Sequence, residues 1–119
     1  MLGEGANGKV FKLNKYAIKK YNNICDLIRE VLILKLTQYI DEIVSMISFS
    51  LEKKEVYLEL YDTTVLDLCS KISKNNKKLI NYIIKKIIFS VYKIHSIGLI
   101  HSDIKLENIL IKNYNYYNI

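Results

Sequence analysis

His101-Ser102-Asp103-Ile104-Lys105-Leu106-Glu107-Asn108 is the stretch on which the reading of this 119-residue chain turns. The apolar runs 97–100 and 109–111 bracket it, so the pattern predicts two strands presenting one polar loop. Within that loop an Asp and an Asn stand five positions apart, with a Lys two after the Asp. The set suits phosphoryl transfer. Asp103 can accept a proton from an attacking hydroxyl, Lys105 can neutralise phosphate charge as it develops, and Asn108 can offer its amide oxygen to a metal ion. A plain polar turn between strands would have a similar composition, so the rest of the chain must decide.

Near the start of the chain, Gly3, Gly5 and Gly8 stand in a G-x-G-x-x-G-x-V pattern closed by Val10. Such glycines let backbone N–H groups approach phosphates with no side chain in the way. A dinucleotide-binding turn shares the pattern but leads into a helix. Here residues 10–13 and 16–20 are short, alternating and separated by Asn14-Lys15, which predicts a β-hairpin. Ala17-Ile18-Lys19 falls in its second strand, where alternation puts Ala17 and Lys19 on one face. Residues 24–38 then carry helical periodicity in Ile24, Leu27, Ile28, Val31 and Leu34. Glu30 lies between Leu27 and Leu34, so its carboxylate points along an apolar face and needs a partner. Water, Arg29 or Lys35 would each serve.

Taken in order, these segments resemble a protein kinase domain. The octapeptide resembles the kinase catalytic loop H-R-D-L-K-x-x-N, with Ser102 at the usual Arg and Leu106 where Pro is common. Ala17-Ile18-Lys19 resembles the V-A-I-K strand, and residues 24–38 resemble the αC helix, whose Glu pairs with the strand Lys. The resemblance covers the whole chain. It implies an α+β fold: a small antiparallel-sheet N-lobe with one αC-type helix over about residues 1–61, then the hinge and the beginning of a helical C-lobe over about 62–119.

By the same resemblance, Asp103 and Lys105 are the catalytic residues. Gly3, Gly5, Gly8, Val10, Ala17, Lys19, Glu30, Leu60 and Asn108 serve ATP, and Asn108 also serves Mg²⁺. Leu60 falls near the gatekeeper position and residues 61–63 at the hinge that grips adenine. The implied activity is transfer of the γ-phosphate of ATP to protein hydroxyls, and D-x-K-x-x-N resembles the serine/threonine form of the loop. Ser102 in place of Arg removes the cation that pairs with a phosphorylated activation loop in many kinases. The family places an Asp-Phe-Gly metal-binding triplet just beyond Ile119, and residues 1–119 contain none, so the domain reads as truncated before that motif and inactive alone. A non-catalytic kinase remnant that binds nucleotide or a partner, and a small-molecule phosphotransferase of related fold, are the alternatives. Lys105 and the well-formed glycine pattern favour the protein-kinase branch over the latter.

The remaining segments fit this frame. Residues 43–51 and 55–61 alternate as two strands around the turn 52–54, 65–73 read as a short helix, and 73–78 as a polar connection. Residues 79–96 form the longest predicted helix, with a stripe of Ile80, Ile83, Ile84, Ile87, Ile88, Val91 and Ile94 stopped by Gly98. Half of the chain is hydrophobic, enough for a core. Its net charge of +6 comes from 17 Lys and one Arg against 12 acidic residues, spread over many segments. Nucleic-acid binding would call for a basic stripe richer in Arg, so no such partner is expected. Cys25 and Cys69 have no metal-ligand spacing and read as buried or idle thiols. With no apolar leader or spanning run, the expectation is a soluble intracellular, cytoplasmic protein with no membrane partner.

Overall fold

Alternation through residues 8–21 reverses at Asn14, whose φ of 53° lies in the left-handed region that Asn tolerates. The strands on either side, β2 (Gly8–Leu13) and β3 (Tyr16–Tyr21), pair in register from Gly8 opposite Tyr21 to Leu13 opposite Tyr16. A short β1 (Gly3–Gly5) precedes them and pairs antiparallel with β2. This is a computed structural model that describes residues 3–5, 8–99 and 108–112. The chain divides into two units, Met1–Leu60 and Tyr61–Ile119.

In the first unit, β4 (Met46–Ser50) and β5 (Glu55–Glu59) complete a five-stranded antiparallel sheet in the order β1-β2-β3-β5-β4. The expected strand over 43–51 is shorter than its alternation suggested. Its register shifts between Met46 and Ser48, and upstream of that irregularity the pairing is down to a bond from Glu59 N–H to Ser45 O at 3.0 Å. The strand expected over 55–61 likewise ends at Glu59.

Helix α1 (Ile24–Leu36) follows β3. Asn23 caps it by accepting from Cys25 N–H at 2.7 Å, and Asp26 and Lys35 complement its dipole at the two ends. Its C-terminal Thr37 is buried and donates its hydroxyl proton to Ile33 O at 2.8 Å. Leu27, Val31 and Leu34 face the sheet, where Ala17, Tyr21, Val56 and Leu58 complete the core and Val10, Met46 and Leu60 pack around it. Ile24 and Ile28, expected on the same side, are exposed because the buried stripe is narrower than the apolar one.

In the second unit, Thr64 caps α2 (Val65–Lys71) by accepting from Asp67 N–H, and Asn76 caps α3 (Lys77–Ser96) by accepting from Leu79 N–H. Gly98, at φ 86°, ends α3 with the paired bonds Gly98 N–H to His95 O and Leu99 N–H to Ile94 O. The run 97–100, expected as a strand leading into the polar loop, is therefore the C-terminal cap of a helix through residue 99. The downstream strand does form. Here β6 (Thr63–Thr64) and β7 (Leu110–Ile111) make a two-stranded ladder flanked by Asp62 N–H to Ile111 O and Val65 N–H to Ile109 O. Among the described residues of this unit, Val65, Leu68 and Leu79 are the buried hydrophobics.

Candidate functional site

The face of β3 that meets α1 carries Ala17, Lys19 and Tyr21 in alternate positions. Ala17 and Tyr21 enter the core, while Lys19 stands between them with its side chain 29% exposed. Glu30 projects from α1 toward the same place. Lys19 Nζ lies 3.5 Å from Glu30 Oε1, both side chains about one third exposed. The competing partners are engaged elsewhere: Arg29 pairs with Asp26 at 3.6 Å, and Lys35 lies over the Phe49 ring. A pair with this much solvent contact is worth at most about 1 kcal/mol to stability. Its significance is positional: it fixes a cation and a carboxylate next to one another on two different elements.

Tyr21, which the sequence reading passed over, completes the group. Lys19 Nζ stands 5.0 Å from the centroid of its ring, within cation–π range. The Tyr21 hydroxyl is buried and has no hydrogen-bond partner. Burial first, and then the negative charge of nearby Glu30, push its ionisation far above that of an ordinary phenol. An unpaired buried hydroxyl costs about 1–3 kcal/mol, so its retention beside this carboxylate calls for a reason. The signal was present in the sequence, since Tyr21 is two residues after Lys19 on one strand face.

Gly8 has a second reason to be glycine. A Cβ built there would meet Lys20 O at 1.8 Å, so the close approach of β3 excludes every side chain. Gly3 and Gly5 sit in β1 opposite Val10 and Gly8. Val10 is partly buried against the core and lies opposite Lys19, and Leu60 packs at the core's margin. Asn108 is exposed, two residues before β7, so the β6–β7 ladder anchors the downstream end of the polar octapeptide. Asp103 and Lys105 lie outside the described residues. The structure thus brings together Lys19 and Glu30 from the expected set.

The two exposed thiols, Cys25 and Cys69, are free; of the two expectations, buried or idle, burial does not hold for either, because each is on the outer side of its helix. Among the described residues no three His, Cys, Asp or Glu side chains converge as a metal site. Asn108, a neutral amide, is a poor sole ligand for a hard dication. The described residues therefore do not by themselves hold Mg²⁺. An anion is a better match, because Lys19 is accessible and held from behind by Glu30. Among the described residues no helix is long and apolar enough to cross a membrane.

Comparison with known proteins agrees with this arrangement. The protein kinase domain family matches residues 1–119. The chain is 35% identical to the serine/threonine-protein kinase pakC of Dictyostelium discoideum, over 92% of this chain and 26% of that protein. It is 32% identical to the probable serine/threonine-protein kinase fnkB of the same organism, over 87% of this chain and 20% of that protein. It spans about a quarter or less of the length of these relatives. A five-stranded sheet backed by one helix, a strand lysine paired with a helix glutamate, and a family match along every residue lead to one assignment: the chain belongs to the protein kinase domain family.

Proposed function

We propose that this chain is the nucleotide-binding part of a serine/threonine protein kinase, with Lys19 as the residue that holds the phosphates of ATP. The observation that carries the reading is the 3.5 Å contact between Lys19 Nζ and Glu30 Oε1. Glu30 restrains an ammonium that would otherwise sample many rotamers, so less freedom is lost when an anion arrives. Gly3, Gly5, Gly8 and Val10 cover the phosphates, Ala17 and Leu60 flank the adenine, and Asp103 and Lys105 act on the hydroxyl acceptor. When bound, Mg²⁺ supplies charge neutralisation between the phosphates, with Asn108 as one of its ligands. The serine/threonine preference rests on Lys105 two positions after Asp103 and on the names of the two relatives.

Residues 1–119 contain no Asp-Phe-Gly triplet, so a polypeptide of these residues alone binds nucleotide without transferring phosphate. Calorimetric titration with ATP tests the reading. Lys19→Met and Glu30→Gln should each weaken binding several-fold, and the double variant should lose less than the sum because the two groups act as one unit. Unchanged affinity in Lys19→Met would remove the assigned role, and full additivity would remove the coupling.

A further inference from the structure

We propose that Tyr21 is a positioning residue of the nucleotide site, its ring carrying the Lys19 ammonium and its buried hydroxyl held in reserve as a donor to the Glu30 carboxylate. The inference rests on the preceding reading of Lys19 as the phosphate-holding residue. Three observations converge on it. Tyr21 is anchored in the core between α1 and the sheet, so its ring is a fixed surface. The Lys19 ammonium lies 5.0 Å from the centroid of that ring, a contact that constrains where the charge can go. The hydroxyl is buried with no partner at full hydrogen-bond distance, yet stands close enough to Glu30 for that carboxylate to oppose its ionisation both as a charge and as a nearby acceptor.

A leucine at position 21 would fill a core site with no polar group to satisfy, so packing does not account for the hydroxyl. Its use arises when Lys19 shares its charge with an anion. The Glu30 carboxylate then loses part of its ion pair, and a neutral donor that stays protonated at any working pH can compensate. A second cation in that place would compete with Lys19 for the carboxylate, whereas a phenol does not. Tyr21 therefore lets the lysine serve the ligand while Glu30 stays in register.

The test uses the 119-residue chain, ATP with Mg²⁺ as the probe, and thermal melting beside the titration. Tyr21→Phe keeps the ring and removes an unpaired hydroxyl, so it should melt at or above the wild-type temperature while binding nucleotide about fivefold more weakly. Tyr21→Leu, which also removes the ring, should bind more weakly still. In a Glu30→Ala background the Tyr21→Phe effect on affinity should vanish, because the hydroxyl acts through that carboxylate. Wild-type affinity in Tyr21→Phe, or a loss of affinity that persists without Glu30, would overturn the proposal. A Tyr21→Phe chain that melts lower or does not fold would overturn it too, since the hydroxyl would then be structural. If Lys19→Met binds ATP as the wild type does, or the wild type does not bind, the reading of the site itself falls.

Discussion

Glu55 shows how a carboxylate can be buried in this fold at little cost. Its side chain is 10% exposed, yet it accepts a hydrogen bond from the Tyr57 hydroxyl on the same strand face, and Lys20 Nζ of β3 approaches its other oxygen at 3.2 Å. The Tyr57 bond foremost, opposed by burial and aided by Lys20, holds its carboxyl below the ordinary value of 4.5. The folded chain therefore binds fewer protons there than the unfolded one, so the contribution to stability is complete above the ordinary value and is lost as pH falls through the lowered one. Tyr57→Phe should return Glu55 toward 4.5. The melting temperatures of wild type and Tyr57→Phe should then differ most near neutrality and converge as pH falls through the lowered value. A gap that stays constant into acid would mean that Tyr57 acts through packing alone. This cluster is on the sheet face away from Lys19, so the same substitution should leave nucleotide affinity unchanged. At this scale a carboxylate on an apolar helix face was enough to single out Glu30 from the sequence. Tyr21 was hidden by its own chemistry, because a strand tyrosine on the same face as Ala17 reads as core and in part is core.

Two glycines separate what an element demands of its backbone from what it demands of its surroundings. At Gly8 the pairing of β2 with β3 brings Lys20 O to 1.8 Å from where a Cβ would be. Backbone in a ladder cannot swing aside as a flexible side chain can, so Gly8→Ala should cost about 1–3 kcal/mol or fray the start of β2. At Gly98 nothing lies within 4 Å of the same construction, but φ is 86°. The cost there is conformational, about 1–2 kcal/mol for Ala, and Asn, which tolerates left-handed backbone, should recover part of it. Urea denaturation of Gly8→Ala, Gly98→Ala and Gly98→Asn checks both accounts; an Asn variant at position 98 no better than Ala would refute the second. Elements whose period runs for several turns or residues were legible in advance, as β2, β3, α1 and α3 were. So was β7, from the apolar run 109–111, but its partner β6 was not, because two residues carry no period and the pairing joins Thr63 to Ile111 across 48 positions. The run 97–100 misled for a different reason: a short apolar run fits a strand or a helix cap equally well, and Gly98 chose the cap through residue 99.

At the scale of the whole chain, burial is unevenly shared. The first unit has a core in which α1, β3 and β5 contribute buried residues to one cluster. The second, among its described residues, buries Val65, Leu68 and Leu79, while α3 leaves Ile84 and Ile88 at 48% and 64% exposure, with Phe89 and Tyr92 exposed beside them. Ile84 and Ile88 are one turn apart, so they share a side of the helix. Exposed apolar surface of this kind favours association between chains, since removing it from water returns about 25 cal/mol for each Å² covered. Residues 1–119 should therefore self-associate with rising concentration, measured by sedimentation velocity. Ile88→Lys should shift that equilibrium toward monomer without lowering the melting temperature, because the side chain it replaces is already in water. It should also leave ATP affinity unchanged, because Ile88 is not among the residues assigned to the nucleotide. If the wild-type chain stays monomeric at high concentration, this face of α3 is not sticky enough to matter. If Ile88→Lys destabilises the fold, the residue contributes to packing that its exposure does not reveal.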